Sequence, residues 1–184
     1  MTDEELVQKS LENPDNYEAI ILAYERPIQS FIRRLSQMEN EDVEDLTQQV
    51  FIKAYYHLND FDTDLKLSTW LFRIARNEVI DFWRRQKSRP QTTEWDPILE
   101  ETMGAEADFV DVLDKKIQSE WVEKILQNLN PKYREVLYLY FFLEKSYEEI
   151  SDIVRKPPGT VAALISRGKN AFADSAKRHK IREK

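Results

Sequence analysis

The 184-residue sequence contains no cysteine. That excludes a disulfide framework and any thiolate-bound metal, and it suits a reducing compartment. Glycine is scarce, at three residues, and no Gly-rich phosphate loop appears. His57 and His179 are the only histidines, too sparse a set for histidine-based acid–base chemistry. No apolar run approaches the roughly 20 residues that a membrane-spanning helix needs. The start, Met1-Thr2-Asp3-Glu4-Glu5, is acidic where a signal peptide is basic. No segment alternates with a period of two, so strands are not expected. The carboxylates of Glu41, Asp42, Glu44 and Asp45 fall on a helical pattern that scatters them, against a metal site. These absences describe a cytoplasmic chain that is not an enzyme, holds no cofactor and does not insert into a membrane.

A net charge of −7 conflicts at first with any nucleic-acid partner. Its distribution removes the conflict. Residues 1–57 carry 5 basic and 12 acidic side chains, residues 71–89 carry 6 and 2, and residues 155–184 carry 9 and 2. Two basic patches therefore lie in an acidic chain, and local potential decides where a phosphate backbone docks.

Composition also divides the chain. Arg89 is the only basic residue in 89–114, against eight acids, and Pro90, Pro97 and Gly104 interrupt any helix there. The segment reads as an acidic, flexible linker. It separates a domain at 1–88 from one at 115–184, each large enough for a small helical core.

The first domain predicts about four helices. Ile20, Ile21, Tyr24, Ile28, Phe31, Ile32 and Leu35 form an apolar stripe at helical spacing, with Pro27 expected to kink or break it. Val43, Leu46, Val50, Ala54 and Leu58 form another. A third helix turns Trp70, Leu71, Ile74, Val79 and Phe82 inward and leaves Arg73, Arg76, Arg84 and Arg85 to solvent. Between these two lies the polar loop Asn59 to Asp64. In the second domain Ile117, Trp121, Ile125 and Leu129 mark one helix, and Asn130-Pro131 starts the next. Ser146-Tyr147-Glu148-Glu149 has the form of a capping box. Pro157-Pro158 closes that helix and Gly159-Thr160 opens the last. A short helix, a tight turn and a helix carrying Arg167 and Lys169 give a helix-turn-helix. The fold class is all-α: two small helical domains joined by an acidic flexible linker, the second with a helix-turn-helix.

Within the run from Glu44 to Phe51, Leu46 and Val50 face the core, so Glu44, Asp45, Gln48 and Gln49 form a polar, acidic strip. Such a strip suits a basic helical partner. Arg73, Arg76, Arg84 and Arg85 can neutralise phosphates. Thr160 and the amides near Gly159 suit a phosphate at a helix N-terminus.

Two runs about a hundred residues apart resemble one family in this order. They are Glu44-Asp45-Leu46-Thr47-Gln48-Gln49-Val50-Phe51 followed by Thr69-Trp70-Leu71-Phe72-Arg73-Ile74-Ala75-Arg76-Asn77, and Ser146 to Ile150 followed by Pro157 to Val161. The family is the extracytoplasmic-function (ECF) sigma factors of bacterial RNA polymerase. The resemblance covers about residues 17–88 and 115–173. It implies a non-catalytic alternative sigma factor that binds core polymerase and chooses and opens promoters. It implies binding to the clamp helices of the largest subunit through Glu44, Asp45, Gln48, Gln49 and Phe51, and contact with the polymerase flap. Gln49 stands where many members have Glu. The −10 element would be opened on Phe61, Arg73, Arg76, Asn77, Arg84 and Arg85, with a flipped base held by Asn77 and the loop Asp60 to Ser68. The −35 element would be read by Arg155, Lys156, Thr160, Ser166, Arg167 and Lys169. Ala162-Ala163-Leu164 replaces a run that is basic in many relatives, which implies weaker or differently specified −35 contacts. An anti-sigma factor is a further partner that the resemblance suggests. A plain helix-turn-helix regulator, or a sigma-like inhibitor of polymerase, is the alternative; the first leaves the Glu44–Asn77 region without a purpose.

Overall fold

The computed structural model describes residues 2–87 and 120–182. Among them lie eight α-helices, two short 3-10 turns and no strand, in agreement with the all-α expectation. The chain divides into two compact units. The acidic segment 89–114, the two boundaries beside it and Ile117 lie outside the described residues.

The first unit opens with α1, Asp3–Glu12. Thr2 and Glu5 cap it reciprocally: the Glu5 amide donates to the Thr2 hydroxyl at 3.2 Å and the Thr2 amide to the Glu5 carboxylate at 3.0 Å. Leu6, Val7 and Ser10 turn inward. This helix was not among the stripes read from the sequence, because only two apolar side chains anchor it. A 3-10 turn at Pro14–Tyr17 leads into α2, Glu18–Ser36. Pro27 sits inside α2 and does not break it. Proline removes the donor to the carbonyl four residues earlier. That residue, Ala23, is exposed, so water can satisfy the carbonyl.

Helix α3 spans Asn40–Tyr56, and α4 spans Leu67–Lys87 after a 3-10 turn at Leu58–Asp60. Ile20, Ile28, Phe31 and Ile32 of α2 are closed from solvent together with Val43, Val50 and Ala54 of α3 and Leu67, Leu71 and Ala75 of α4. Phe31 meets Phe72 edge to face at 5.2 Å. The three stripes thus form one core, and the polar faces of α3 and α4 are left for other work.

In the second unit α5 is Glu120–Gln127, α6 Pro131–Phe141, α7 Tyr147–Val154 and α8 Pro158–Arg182. Asn130 accepts from the Lys132 amide at 3.1 Å, with Pro131 at the first helical position. The capping box on α7 is present in both directions, at 3.2 and 3.0 Å. Arg155 ends α7 in a left-handed conformation, φ 52°, so the helix stops two residues before Pro157. The turn is closed by Ser151, whose carbonyl accepts from the Lys156 amide and whose hydroxyl donates to the Lys156 carbonyl.

Helix α8 packs on α6 along Val161, Leu164, Ile165, Gly168 and Phe172, all buried. Gly168 makes that approach close: a Cβ there would lie 3.1 to 3.3 Å from the Leu137 side chain, which would have to shift by a few tenths of an ångström. The helix runs on to Arg182, past residue 173, where the resemblance read from the sequence ends.

Candidate protein and nucleic-acid interfaces

Helix α3 presents one continuous outer face. Leu46 and Val50 are 2 % and 0 % exposed, which places Glu44, Asp45, Gln48 and Gln49 on the opposite side, and all four are exposed. Phe51 differs from them: it is 6 % exposed, and its carbonyl accepts the Tyr17 hydroxyl at 2.7 Å. Burial pushes the Tyr17 phenol above its ordinary range. Phe51 therefore supplies the floor of the surface and not a projecting contact.

The face continues beyond the residues that the sequence singled out. Ile52, Tyr55 and Tyr56 are 55 %, 41 % and 75 % exposed on the same side of α3, and Leu22 of α2 is 72 % exposed. An open groove of about 410 Å³ runs between α2 and α3, with Tyr17, Ile21 and Glu25 on one wall and Gln48, Phe51, Ile52 and Tyr55 on the other. Tyr17 and Tyr55 meet edge to face at 5.1 Å. The face is thus acidic and amide-rich at the start of α3 and apolar at its end. A signal for the apolar half existed: Ile52, Tyr55 and Tyr56 fall off the stripe of Val43, Leu46, Val50 and Ala54, so their apolar groups had no place in the core.

Helix α4 carries the second surface. Arg73, Asn77 and Arg84 stand at spacings of four and seven and share one face. Arg73 and Asn77 are half-buried and Arg84 is exposed, 3.0 Å from Asp81. Arg85 is exposed one position away. Arg76 corrects the sequence expectation, since it is buried at 8 % and not open to solvent. It falls on the flank of α4 that turns towards the core. Phe61 is also buried, at 9 %, tilted against Trp70 at 5.4 Å. It shapes the loop before α4 from within. Trp70, at 6 %, is packing as expected. Trp83, 42 % exposed, projects near Arg84 and Arg85.

The third surface is the outer side of the helix-turn-helix. Arg155, Lys156, Thr160, Ser166 and Arg167 are all exposed. Thr160 keeps its side chain outward, but its amide already donates to the Pro157 carbonyl at 2.9 Å, so that amide is not open to a phosphate. Lys169 departs from the group. It is half-buried, with its ammonium 6.0 Å from the Tyr140 ring and 5.7 Å from the Phe141 ring. It thus faces α6 rather than the outer side. Within Ala162-Ala163-Leu164, Ala163 is exposed while Leu164 is 9 % exposed and belongs to the core. Among the described residues no group of carboxylates and histidines could hold a metal, and no helix is long and apolar enough to cross a membrane.

Comparison with known proteins gives the family. The Sigma-70 region 2 model matches residues 20–89, and the Sigma-70 region 4 model matches residues 119–172. The ECF RNA polymerase sigma factor SigW of Bacillus subtilis is 36 % identical over 142 residues, 71 % of this chain and 73 % of the relative. The ECF RNA polymerase sigma-E factor of Escherichia coli K12 is 29 % identical over 179 residues, 94 % of this chain and 93 % of the relative. Two solved structures share the fold at a TM-score of 0.67. One is CnrH in complex with the cytosolic domain of CnrY, at 21 % identity over 94 % of this chain and 95 % of that one. The other is the sigma factor RpoE of Bartonella quintana in complex with the anti-sigma factor NepR, at 24 % identity over 88 % of this chain and 97 % of that one. With the family's two regions matched in order and a relative above 30 % identity along most of its length, the chain belongs to the ECF RNA polymerase sigma factors.

Proposed function

We propose that this sigma factor divides its work among three surfaces: α3 holds bacterial core RNA polymerase, α4 opens the −10 element, and the α7–α8 pair reads the −35 element. The observation that carries the reading is the opposition of faces in the first unit. Helix α3 shows an acidic and apolar face free of arginine, and α4 shows a face with Arg73, Asn77 and Arg84. The first suits a protein helix with basic and apolar side chains. The second suits a phosphate backbone and an extruded base.

On this reading Glu44, Asp45, Gln48 and Gln49 contact the clamp helices of the largest subunit over a floor made by Phe51. Arg73, Arg84 and Arg85 neutralise phosphates, and Asn77 holds the flipped base against the loop before α4. Arg155, Lys156, Thr160, Ser166 and Arg167 face the −35 duplex. The protein performs no catalysis of its own, works in the cytoplasm where polymerase acts, and is open to control by an anti-sigma factor on its exposed apolar groove.

The test is transcription by purified bacterial core polymerase on a fragmented genomic library, with RNA 5′ ends sequenced with and without the protein. New starts that share upstream −10 and −35 motifs are expected. Binding to core without new starts would make the protein a sigma-like inhibitor. No binding to core would return it to a plain helix-turn-helix regulator.

A further inference from the structure

Asp3, in the first turn of α1, binds two other helices with its two carboxylate oxygens. The Tyr24 hydroxyl of α2 donates to Oδ1 at 2.6 Å, and the backbone amide of Leu67 donates to Oδ2 at 3.1 Å. Burial first, and the Asp3 carboxylate second, push the Tyr24 phenol above its ordinary range. Leu67 is the first residue of α4 and fully buried.

The first amides of a helix have no partner inside it, and the positive end of its dipole favours a carboxylate. Helix α4 has no acidic residue in its own first turn. Its capping carboxylate comes instead from a residue 64 positions earlier in the chain. The short loop just before α4 is held by its own turn, in which the Asp64 amide donates to the Asp62 carboxylate at 3.0 Å and the Leu65 amide to the Asp62 carbonyl at 3.0 Å. Asp3 thus ties α1 to the point where this loop ends and α4 begins. Helix α1 lies before residue 20, where the match to the region 2 model starts, so this tie comes from outside the matched region.

We infer that Asp3 is a positioning residue for promoter opening: by capping α4 from α1 it sets the loop against the face that carries Asn77. This rests on the reading of α4 and its preceding loop as the strand-opening surface. Loss of the tie leaves the α3 face and the helix-turn-helix in place, so core binding and −35 contact persist while opening declines.

The experiment uses the full-length protein with core polymerase on a promoter found by the 5′-end mapping. Permanganate reactivity of unpaired thymines reads opening, and core affinity and thermal unfolding are measured alongside. Asp3→Ala is expected to lower opening roughly tenfold, the equivalent of losing a helix cap, with core affinity little changed. Asp3→Asn, which keeps an acceptor oxygen, is expected to restore part of the opening. Tyr24→Phe removes only the bond to α2 and is expected to leave opening near wild type. Unchanged opening in Asp3→Ala would overturn the inference, and so would a parallel fall of opening and core affinity. If the wild-type protein itself opened no promoter, the sigma-factor reading would fail instead, which the same gel separates.

Discussion

Lys53 of α3 and Glu78 of α4 form an ion pair in which the Glu78 side chain is 2 % exposed and the Lys53 side chain 51 %. The pair joins the helix proposed for polymerase to the helix proposed for DNA, one residue from Asn77. Lys53→Ala would leave Glu78 charged and enclosed without its cation. Breaking a fully buried pair costs about 3–5 kcal/mol; with one partner half in water, about 1–3 kcal/mol is expected. A urea titration followed by tryptophan fluorescence checks this. Glu78→Gln should cost less than Lys53→Ala, because it removes the buried charge as well as the pair.

The polymerase face should tolerate changes that the core does not. Asp45 is exposed, so Asp45→Arg should leave the helical circular dichroism and unfolding midpoint unchanged. It should weaken binding to core polymerase about tenfold, or 1.4 kcal/mol. Tyr56→Ser tests the apolar half of the same face, since Tyr56 is 75 % exposed. It should lower core affinity comparably without loss of stability. Phe51→Ala should lower both, because Phe51 is enclosed. Unchanged affinity in Asp45→Arg would remove the α3 face from the polymerase interface.

On α4 the structure separates two arginines that look alike in sequence. Arg73→Ala should reduce the salt dependence of promoter binding by about one unit of slope, as expected for one lost phosphate contact. Arg76, 8 % exposed, should instead show its loss as a lower unfolding midpoint. Asn77→Ala should impair opening more than it impairs core binding. Equal salt slopes for Arg73→Ala and wild type would place the phosphate contact elsewhere.

That contrast marks where the sequence stops being legible. The stripes on α2, α3 and α4 were readable because apolar residues at helical spacing are redundant, and one misread position leaves the period intact. The cap at Asn130 and the box at Ser146 and Glu149 were readable because both partners lie within four residues. Arg76 was not, since it sits at the edge of a stripe, where one step of about 100° decides between core and water. The setting of Lys169 is not legible for the same reason: its proximity to Tyr140 and Phe141 depends on how α6 meets α8. The bond from Leu67 to Asp3 spans 64 residues, and no local pattern announces it.

Two tyrosines give the first unit an alkaline limit. The phenols of Tyr17 and Tyr24 are held above their ordinary range, chiefly by burial. Above about pH 10 the unfolded chain ionises these groups while the folded chain keeps them neutral. The unfolded state then binds fewer protons, so the stability present below that pH is lost as pH rises through it. Thermal unfolding from about pH 8 to about pH 11 should show this decline. Tyr17→Phe should make it shallower, although loss of the bond to the Phe51 carbonyl costs about 1 kcal/mol at neutral pH. An equally steep decline in Tyr17→Phe would assign the alkaline sensitivity to other groups.

The last contrast concerns the helix-turn-helix. Arg167 is exposed on the same side as Thr160 and Ala163, whereas Lys169 lies over two aromatic rings. A guanidinium that reaches a guanine edge bidentately discriminates by about 1–3 kcal/mol. Arg167→Ala should therefore relax the −35 preference at one base pair, measured by competition among single-base promoter variants. Lys169→Ala removes a charge that the rings already hold, so it should change base preference little and instead loosen the packing of α6 on α8. The charge alone does not decide between them; the face of α8 on which it stands does. If Lys169→Ala changed the preference at a base pair and Arg167→Ala did not, the α8 side chains would have to rearrange on binding DNA, and the free geometry would not be the recognition geometry.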